Sequence, residues 1–503
     1  MSEKFQNKIV TVFIETYGCQ MNKYDSEIAA GLLDRHGYSM TDDIDKADAV
    51  IINACSVREH AEQRIMGRLG VLSHWKKTDP RRKLGLIGCM AQRMKQDLLE
   101  KKLCLDFILG PDQYRNLPDL LSKTTSERIS RTSFCEIENY DDIQPIRDSK
   151  ISGWVAITRG CNNFCSYCIV PYTRGRERSR SLKSIHNEIY QMIREGYREV
   201  TLLGQNVNSY HDGKNRFPDL LQKISRIDGL YRIRFMTSHP KDLSEELLET
   251  IASEKKICKH IHLPVQSGSN RILSMMNRNY TRENYLALIE KARSLIPEGS
   301  ITSDIMVGFP SETDQDFEDT IQLMNQVKFD EAFTYHYSSR QGTRAAEMEE
   351  KLSKEEKLIR LNRIIQLQRK ITLERKQNLI GKVVEVLPET ESKKSSNEWM
   401  GKTDTNHVVI FPKENTSLGC PVDVQIQECK GTTLKGHIIE SKRPSRFIGM
   451  ALNSSHSGGL KGGPEASGPT SLGSKTSPMN RKGLEINHAS SFNTKSGREI
   501  CGL

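Results

Sequence analysis

The chain has 503 residues, enough for about three domains, and 36% of them are hydrophobic. Its 74 basic and 64 acidic residues leave a net charge of +10, which is compatible with nucleic-acid binding but does not establish it. The sequence has no apolar run of about 18 residues, so no membrane span is predicted. It also has no N-terminal signal-peptide pattern, which predicts a cytoplasmic protein whose cysteines are reduced.

Residues 8–125 alternate short apolar runs with helical patterns, which predicts an N-terminal parallel α/β domain. Cys19, Cys55 and Cys89 each follow one of these runs. Ligands bind at the carboxyl ends of strands in open parallel sheets, so the three thiols are predicted to converge. Three buried core cysteines are the alternative, because unpaired cysteine is among the most buried residue types. The apolar runs are Ile9–Ile14, Ala49–Ile52 and Leu84–Ile87.

A second group of cysteines lies within eight residues, at Cys161, Cys165 and Cys168. A [4Fe-4S] cluster normally takes four cysteines, so three thiolates leave one iron open, as a catalytic metal site requires. A zinc loop is the alternative, but zinc loops usually pair two C-x2-C units and no second pair follows here. The spacing C-x3-C-x2-C therefore predicts a catalytic cluster, and the strand-end cysteines predict a second one.

The central domain is predicted at residues 147–379, as a partial (β/α)6 barrel followed by a long charged helix. The cysteine loop follows the first strand, at the barrel face where active sites lie. The helix at 354–379 is expected to pack through Leu358, Leu361, Ile364, Ile365 and Leu373. The six predicted strands are Trp154–Thr158, Glu199–Gly204, Arg232–Thr237, His260–Val265, Ile301–Val307 and Ala332–Tyr337.

The last ordered segment is predicted at residues 380–443, as a small antiparallel β-barrel. Its strands are predicted at Lys382–Leu387, His407–Phe411 and Val422–Gln427. Such barrels commonly bind RNA or oligonucleotides. Residues 452–503 are rich in glycine, serine and proline, which predicts a disordered tail.

Four stretches resemble the radical S-adenosylmethionine methylthiotransferases, and they occur in that family's order. The resemblance covers about residues 8–445 and is closest to the bacterial tRNA-modifying branch of the MiaB type. The final barrel resembles the TRAM domain of this family. The four stretches are Thr16–Asn22, Arg159–Arg180, Leu202–Asn208 and His262–Ser269.

This resemblance implies an enzyme that converts N6-isopentenyladenosine to 2-methylthio-N6-isopentenyladenosine at position 37 of tRNA. It implies two [4Fe-4S] clusters and S-adenosylmethionine, with an electron donor such as a flavodoxin or ferredoxin and a sulfur donor. Cys161, Cys165 and Cys168 would hold the radical-generating cluster, whereas the strand-end cysteines would hold an auxiliary cluster that carries the sulfur. The alternative substrates are threonylcarbamoyl-adenosine tRNA and an aspartate of a ribosomal protein. The alternative outside enzymes is a non-catalytic iron–sulfur protein that binds RNA.

The resemblance also implies residues around the cofactor, although ordinary polar residues of the barrel face are the alternative. No catalytic side chain beyond the cluster ligands is predicted. The arginines of the cysteine loop could meet phosphate or carboxylate, and a solvated basic turn is the alternative. Together with basic residues of the final barrel, they are predicted to bind RNA. The cofactor set is Tyr167, Gly204, Gln205, Gln266 and Asp304. The RNA set is Arg174, Arg176, Arg178, Arg180, Lys382 and Lys402.

Overall fold

The computed structural model describes residues 11–56, 59–100, 103–123, 128–147, 149–414 and 416–439. The predicted tail at 452–503 lies outside the described residues, as do residues 8–10 and 440–443 of the predicted terminal domains. Within the described part of the chain, no helix has the length and apolar character needed to cross a bilayer.

The N-terminal domain is a six-stranded sheet in the order β2-β1-β3-β4-β5-β6, and every paired neighbour is parallel. This arrangement confirms the predicted parallel α/β fold. All six residues of β3 are buried, as expected for a central parallel strand. The sheet continues past residue 125 to β6. The elements are β1 (Thr11–Tyr17), α1 (Gln20–Arg35), β2 (Ser39–Met40), β3 (Ala49–Ala54), α2 (Glu59–Thr78), β4 (Lys83–Ile87), α3 (Cys89–Glu100), β5 (Phe107–Leu109), α4 (Leu117–Ser122) and β6 (Ile129–Arg131).

The central domain contains the six predicted barrel strands, arranged as two parallel sheets in the orders β11-β10-β7 and β12-β13-β14. Its largest apolar core lies between these strands and their helices. The elements are β7 (Ser152–Ala156), β8 (Thr158–Arg159), α5 (Val170–Arg174), β9 (Arg178–Ser179), α6 (Leu182–Arg194), β10 (Glu199–Leu203), α7 (Phe217–Ser225), β11 (Arg232–Phe235), α8 (Glu245–Ser253), β12 (His260–His262), α9 (Asn270–Met275), α10 (Arg282–Leu295), β13 (Ser300–Val307), α11 (Asp314–Val327), β14 (Glu331–His336) and α12 (Lys354–Gln377).

The long helix α12 forms where it was predicted, but the predicted packing face was partly wrong. Ile364 is buried, whereas Leu358 and Leu373 are each 39% exposed. The buried face instead carries polar side chains: Arg360 is buried, and the amide of Gln368 donates to the Phe329 carbonyl. The helix packs over loop ends whose carbonyl and carboxylate groups need hydrogen-bond donors. Polar side chains on the buried face of the helix supply those donors.

The C-terminal domain is a closed five-stranded barrel in the order β15-β16-β17-β19-β18. Its pairings are antiparallel except for β17 with β19, which is parallel, so the predicted barrel is confirmed but is not wholly antiparallel. The strands β16 and β19 were missed because their sequences are largely polar. The strands are β15 (Val383–Ser392), β16 (Ser395–Thr403), β17 (Val408–Pro412), β18 (Val422–Lys430) and β19 (Thr433–Ile438).

This barrel docks at the amino ends of the central strands. Arg232, the first residue of β11, donates to the Lys402 carbonyl with an Nη1–O distance of 2.7 Å. Ser300, the first residue of β13, donates from Oγ to the Thr405 carbonyl at 2.6 Å. The cysteine loop follows β8 at the other end of the central strands. The cysteine loop and the C-terminal barrel therefore lie at opposite ends of the central domain's strands.

Candidate functional site

The three strand-end cysteines lie just past β1, β3 and β4 and line one cavity. Cys19 precedes α1, Cys55 follows β3 directly, and Cys89 begins α3. Gly18 and Gly88 precede two of them with φ of +140° and +92°. A β-carbon on Gly18 would lie 2.4 Å from Cβ of Cys55, so glycine permits the strand ends to approach. The thiols converge as their placement predicted.

Arg174 sets much of the charge environment of these thiols. Hydrogen bonding with Cys55 lowers the pKa of Cys19 to about 6, and the positive charge of Arg174 acts in the same direction. Burial raises the pKa of Cys89, and Arg174 opposes that rise. Iron binds the thiolate form of cysteine, and the charge of Arg174 favours that form in both Cys19 and Cys89.

The second cysteine group occupies the loop between β8 and α5. The backbone N–H of Cys168 donates to the Cys165 carbonyl at 2.9 Å, which holds the loop in a tight turn. Arg278, a buried residue, donates from Nη1 to the Cys165 sulfur at 3.5 Å. Burial raises the pKa of Cys161 to about 11, so metal binding would have to drive its deprotonation.

The cavity of the strand-end cysteines also borders the segment that follows Cys168. It does not include Cys161, Cys165 or Cys168 in its lining. The central domain contributes α5 residues and the ends of several barrel strands, so the two cysteine groups flank one region between the domains. The lining residues from the central domain are Ile169, Val170, Thr173, Arg174, Leu203, Gly204, Gln205, Met236, Thr237 and His262.

Two of the predicted cofactor residues, Gly204 and Gln205, line this cavity. A β-carbon on Gly204 would lie 2.1 Å from Oγ1 of Thr158, so a larger residue does not fit there. The Gln205 Oε1 atom is a buried acceptor without a hydrogen-bond partner. A buried acceptor is costly to leave unpaired, so this atom suits a ligand that donates a hydrogen bond.

The other predicted cofactor residues, Tyr167, Gln266 and Asp304, do not line the cavity. Asp304 is fully buried on β13, and its Oδ1 lies 3.5 Å from Nε2 of His262. Gln266 adopts φ of +72° and accepts a hydrogen bond from the Tyr335 hydroxyl at 3.4 Å. His262 therefore connects this group to the cavity. Sequence reasoning gave His262 no role, although it begins the quoted motif at His262–Ser269.

The structure places only one of the four loop arginines in solvent, namely Arg176. The other three are held in ion pairs with carboxylates that precede the central domain's strands: Arg174 and Arg180 are buried and Arg178 is partly buried. Only Arg176 is therefore exposed for the predicted contact with RNA. The spacing of the arginines along the sequence did not reveal these carboxylates, because they come from distant segments. The pairs are Arg174–Asp25 at 2.8 Å, Arg178–Asp112 at 2.7 Å and Arg180–Asp141 at 2.7 Å.

Lys382 and Lys402, the predicted RNA contacts of the final barrel, remain accessible. Their side chains are 54% and 38% exposed. The nearest carboxylates are Glu298, at 3.8 Å from Lys382, and Glu389, at 3.3 Å from Lys402. Partly exposed pairs of this kind contribute little stability, so both lysines are available for phosphate.

Asp25 on α1 joins the helix that follows Cys19 to the central domain. Its two carboxylate oxygens each accept from a guanidinium at 2.8 Å, one from Arg159 and one from Arg174. Tyr114 donates its hydroxyl to the same carboxylate at 3.3 Å. These two arginines flank the cysteine loop, so Asp25 fixes that loop relative to Cys19. The sequence gave no signal for Asp25, which is one acidic residue among 64 Asp and Glu.

We expect Asp25→Asn to lower the free energy of unfolding by about 3–5 kcal/mol, because a neutral amide leaves two buried guanidiniums without their counter-charge. Urea denaturation of the iron-free protein measures this loss. Asp119→Asn on α4 is the control, since Asp119 makes a half-exposed pair with Lys123 and should change stability by about 0.5 kcal/mol or less. Equal losses in the two variants would contradict a structural role for Asp25.

The residues around the strand-end cavity suit a four-iron cube, which distributes its thiolates over separate irons. Converging thiols, glycines that clear space, and the unpaired Nη1 donor of Arg174 fit such a group.

Comparison with known proteins matches the three ordered segments to three sequence families. They are the radical SAM superfamily at residues 155–324, uncharacterized protein family UPF0004 at 11–110, and the TRAM domain at 377–439. The tRNA-2-methylthio-N(6)-dimethylallyladenosine synthase of Chloroherpeton thalassium is 47% identical over 437 residues, covering 86% of this chain and 97% of that protein. The chain belongs to this synthase family.

A second synthase, from Thermoanaerobacter pseudethanolicus, is 46% identical over 447 residues and covers 88% of this chain and 95% of its own. These relatives confirm the resemblance seen in the four motifs. The radical S-adenosylmethionine methyltransferase TsrM from Kitasatospora setae, solved with cobalamin and a [4Fe-4S] cluster, shares the fold with a TM-score of 0.51. Its identity is 13% over 67% of this chain and 77% of that one, so this likeness concerns the fold alone. As a radical SAM synthase, the protein uses S-adenosylmethionine and [4Fe-4S] clusters.

Proposed function

We propose that this synthase methylthiolates C2 of N6-isopentenyladenosine at position 37 of tRNA. The observation that carries the proposal is the cavity lined by Cys19, Cys55 and Cys89 and bordered by the segment directly after Cys168. A sulfur-bearing site and a radical-generating site must meet at one substrate atom, and this cavity offers such a place. The synthases from Chloroherpeton and Thermoanaerobacter carry the corresponding product in their names.

The six cysteines would divide the chemistry between two clusters. Cys161, Cys165 and Cys168 would hold the one that, with S-adenosylmethionine, supplies radical chemistry for an unactivated aromatic carbon. The strand-end cysteines would hold the other, which carries the sulfur. The C2–H of adenine is not acidic, so the site needs no side-chain base of matched pKa.

The cavity walls would orient the base and exclude water. Ile169, Val170 and Leu203 give the lining an apolar surface against which an adenine ring can pack. Gln205 offers its unpaired Oε1 as an acceptor for a ligand N–H. We propose that Tyr167, Gln266 and Asp304, with His262, lie around the S-adenosylmethionine site beside this cavity. A dry site also protects reactive species from side reactions.

A folded RNA is the substrate class that the positions of the exposed basic residues favour. Arg176 lies beside the cysteine loop, whereas Lys382 and Lys402 belong to the barrel at the amino ends of the central strands. The eight residues of β13 alone span about 26 Å. A ligand that contacts both ends must therefore be larger than a nucleoside, which supports tRNA over a free nucleoside. A single aspartate of a ribosomal protein would also need no phosphate contacts.

The reaction further requires an electron donor such as a flavodoxin or ferredoxin, and a sulfur donor. We propose both as partners, since neither electrons nor sulfur are supplied by the side chains described above. Because tRNA is a cytoplasmic substrate, we propose that the enzyme acts in the cytoplasm.

Mass spectrometry of tRNA nucleosides tests the proposed function. The reconstituted enzyme, incubated with isopentenylated tRNA, S-adenosylmethionine, a sulfur source and a reductant, should yield 2-methylthio-N6-isopentenyladenosine. Threonylcarbamoyl-adenosine tRNA and isolated ribosomal protein serve as competing substrates. Product from either competitor, with none from isopentenylated tRNA, would refute the proposal.

We expect the double variant Lys382→Gln, Lys402→Gln to bind tRNA more weakly, to a similar extent for tRNAs of different sequence. The salt dependence of its tRNA affinity should also be smaller. Each lysine that meets a phosphate should contribute about 1 to the slope of log affinity against log salt, so the slope should fall by about 2. Dissociation constants at several salt concentrations measure this. Lys291→Gln on α10 is the control, because Lys291 is a half-exposed lysine of the central domain that pairs with Glu245 of α8. An unchanged slope in the double variant would remove these lysines from the RNA contact.

A further inference from the structure

Residues 275–280 form a turn at the end of α9 that contacts the cysteine loop. The backbone N–H and the hydroxyl of Ser166 donate to the carbonyls of the first two residues of this turn, at 3.0 and 2.8 Å. The side-chain amide of Asn277 donates to the carbonyls of the two residues before Cys165, at 3.2 and 3.0 Å. These hydrogen bonds reach the loop on both sides of Cys165, so the turn sets the shape of the loop there.

Arg278 extends from the same turn to the sulfur of Cys165. Its Nη1 donates to Sγ of Cys165 at 3.5 Å, its Nη2 to the Pro264 carbonyl at 2.7 Å, and its Nε to the Tyr280 hydroxyl at 2.9 Å. The residue is 4% exposed. Its two neighbours in the chain are asparagines with φ of +59° and +50°, a conformation that asparagine tolerates better than most residues. Arg278 is therefore a fixed, buried donor to a predicted cluster ligand.

The charge of Arg278 has no carboxylate as its partner. Within the described residues, Arg278 makes no ion pair with an aspartate or a glutamate. Its ring neighbours are neutral, because burial and then the charge of Arg278 lower the pKa of His239 to about 2, and burial raises the pKa of Tyr280. A guanidinium stays charged at any pH of interest, and a buried charge is unfavourable without a counter-charge. Of its hydrogen-bond partners, Cys165 is the one that becomes an anion when the loop binds iron.

Reduction of a cluster in this loop would add negative charge beside the guanidinium. An oxidised four-iron core with three thiolates carries one net negative charge, and one added electron makes it two. The net charge of a cluster and the hydrogen bonds to its sulfurs are two of the factors that set its reduction potential. A fixed positive charge that donates to one of these sulfurs therefore stabilises the reduced state more than the oxidised state.

We propose that Arg278 is a positioning residue for the radical-generating cluster, which it holds through Cys165 and whose reduction it favours as a buried counter-charge. The inference rests on the proposed function, which assigns that cluster to Cys161, Cys165 and Cys168. The electron comes from the flavodoxin- or ferredoxin-type donor proposed above, and Arg278 exchanges no proton. The contact joins residues 113 positions apart in the chain, so the spacing of the cysteines did not indicate it.

Anaerobic redox titration of the reconstituted holoenzyme, followed by electron paramagnetic resonance, tests this role. The radical-generating cluster is the one whose reduced signal changes when S-adenosylmethionine is added, and the other cluster is an internal reference. We expect Arg278→Gln to make reduction of the first cluster about tenfold less favourable, which is about 59 mV for a one-electron couple, and to leave the reference unchanged. Arg278→Lys keeps the charge, so its reduction equilibrium should stay within about threefold of that of the unaltered enzyme.

Arg271→Gln is the matched control, because it removes the same charge from α9 without altering a contact with the cysteine loop. Arg271 pairs with Asp316 instead, and its side chain is 47% exposed. Both clusters of this variant should titrate as in the unaltered enzyme. An unchanged potential in Arg278→Gln, or an equal shift in Arg271→Gln, would overturn the proposal. If the potential is unchanged and the affinity for S-adenosylmethionine falls, Arg278 contacts the cofactor rather than the cluster.

Iron content separates an effect of charge from failed assembly. If Arg278→Gln loses about half of its iron, one cube of two has not assembled, and Arg278→Lys then decides. Iron and potential near those of the unaltered enzyme in Arg278→Lys support the counter-charge. Loss of iron in both variants, or an equal fall of the potential in both, overturns it.

Two further measurements separate this inference from the function on which it rests. If the unaltered enzyme forms no methylthiolated nucleoside, the proposed function fails whatever the titration shows. If the signal that responds to S-adenosylmethionine persists after Cys161, Cys165 and Cys168 are replaced, the assignment of the cluster to this loop fails. If that signal is lost and Arg278→Gln still titrates normally, the assignment stands and only the role of Arg278 fails.

Discussion

Replacing Cys161, Cys165 and Cys168 together with alanine is expected to abolish reductive cleavage of S-adenosylmethionine. The three thiols are the only cysteines in the loop between β8 and α5, and a cluster without its thiolates does not assemble. 5′-Deoxyadenosine formed by the reduced, reconstituted protein measures the cleavage. The rate should fall to the background of the iron-free protein. Binding of tRNA should remain, since the basic residues of the final barrel are unaltered.

The matched control replaces Cys104, Cys135 and Cys420 with alanine. These three are also unpaired cysteines, but they lie at none of the strand ends or loop positions of the candidate clusters. Iron content and 5′-deoxyadenosine formation should stay at the levels of the unaltered protein. If the Cys161, Cys165, Cys168 variant still forms 5′-deoxyadenosine, the loop does not hold the cluster that cleaves S-adenosylmethionine.

Replacing Cys19, Cys55 and Cys89 together is expected to stop sulfur insertion and leave cleavage of S-adenosylmethionine intact. The two groups of thiols belong to different domains, and the loop cysteines do not line the cavity of the strand-end cysteines. The radical site should therefore assemble alone. Iron per chain should fall by about half, because one cube of two is lost. Nucleoside mass spectrometry should detect no methylthiolated product.

Iron analysis distinguishes this outcome from simple misfolding. A protein that loses the strand-end cluster but keeps 5′-deoxyadenosine formation has a folded central domain. If iron content is unchanged, these cysteines are core residues and the second site does not exist. If cleavage is lost as well, the two sites are not independent, which would point to the shared Asp25 contact with Arg159 and Arg174 as the coupling element.

Local patterns were enough to predict the architecture. Short apolar runs separated by helical patterns predicted the parallel sheet of the N-terminal domain, the six barrel strands and three of the five strands of the final barrel. The capping box at the start of α11 is a local feature of the same kind, because Thr313 and Asp316 lie three residues apart and exchange both of its hydrogen bonds. Very short strands and polar strands were missed because periodicity needs several apolar residues. The packing face of α12 was partly mispredicted for a related reason. Polar side chains are buried there because they donate hydrogen bonds to loop ends.

The sequence by itself determined the six cysteines and their grouping. A three-thiol loop depends only on spacing along the chain, and cysteines that follow parallel strands meet at one sheet edge whatever the loops between them do. The four family motifs, from which the cofactors and the substrate class were inferred, are likewise contiguous stretches of sequence. Local chemistry was sufficient here because each group is defined by its own strand, turn or loop.

Only the tertiary structure decided which arginines face solvent and which are held in ion pairs. Arg174, Arg178 and Arg180 look alike in the sequence as members of one basic loop, yet each meets a carboxylate from a segment far away in the chain. Likewise, the unpaired Nη1 of Arg174 and the place of the final barrel at the amino ends of the central strands depend on domain packing. Charge pairing of this kind is set by proximity in space, which spacing along the chain does not encode.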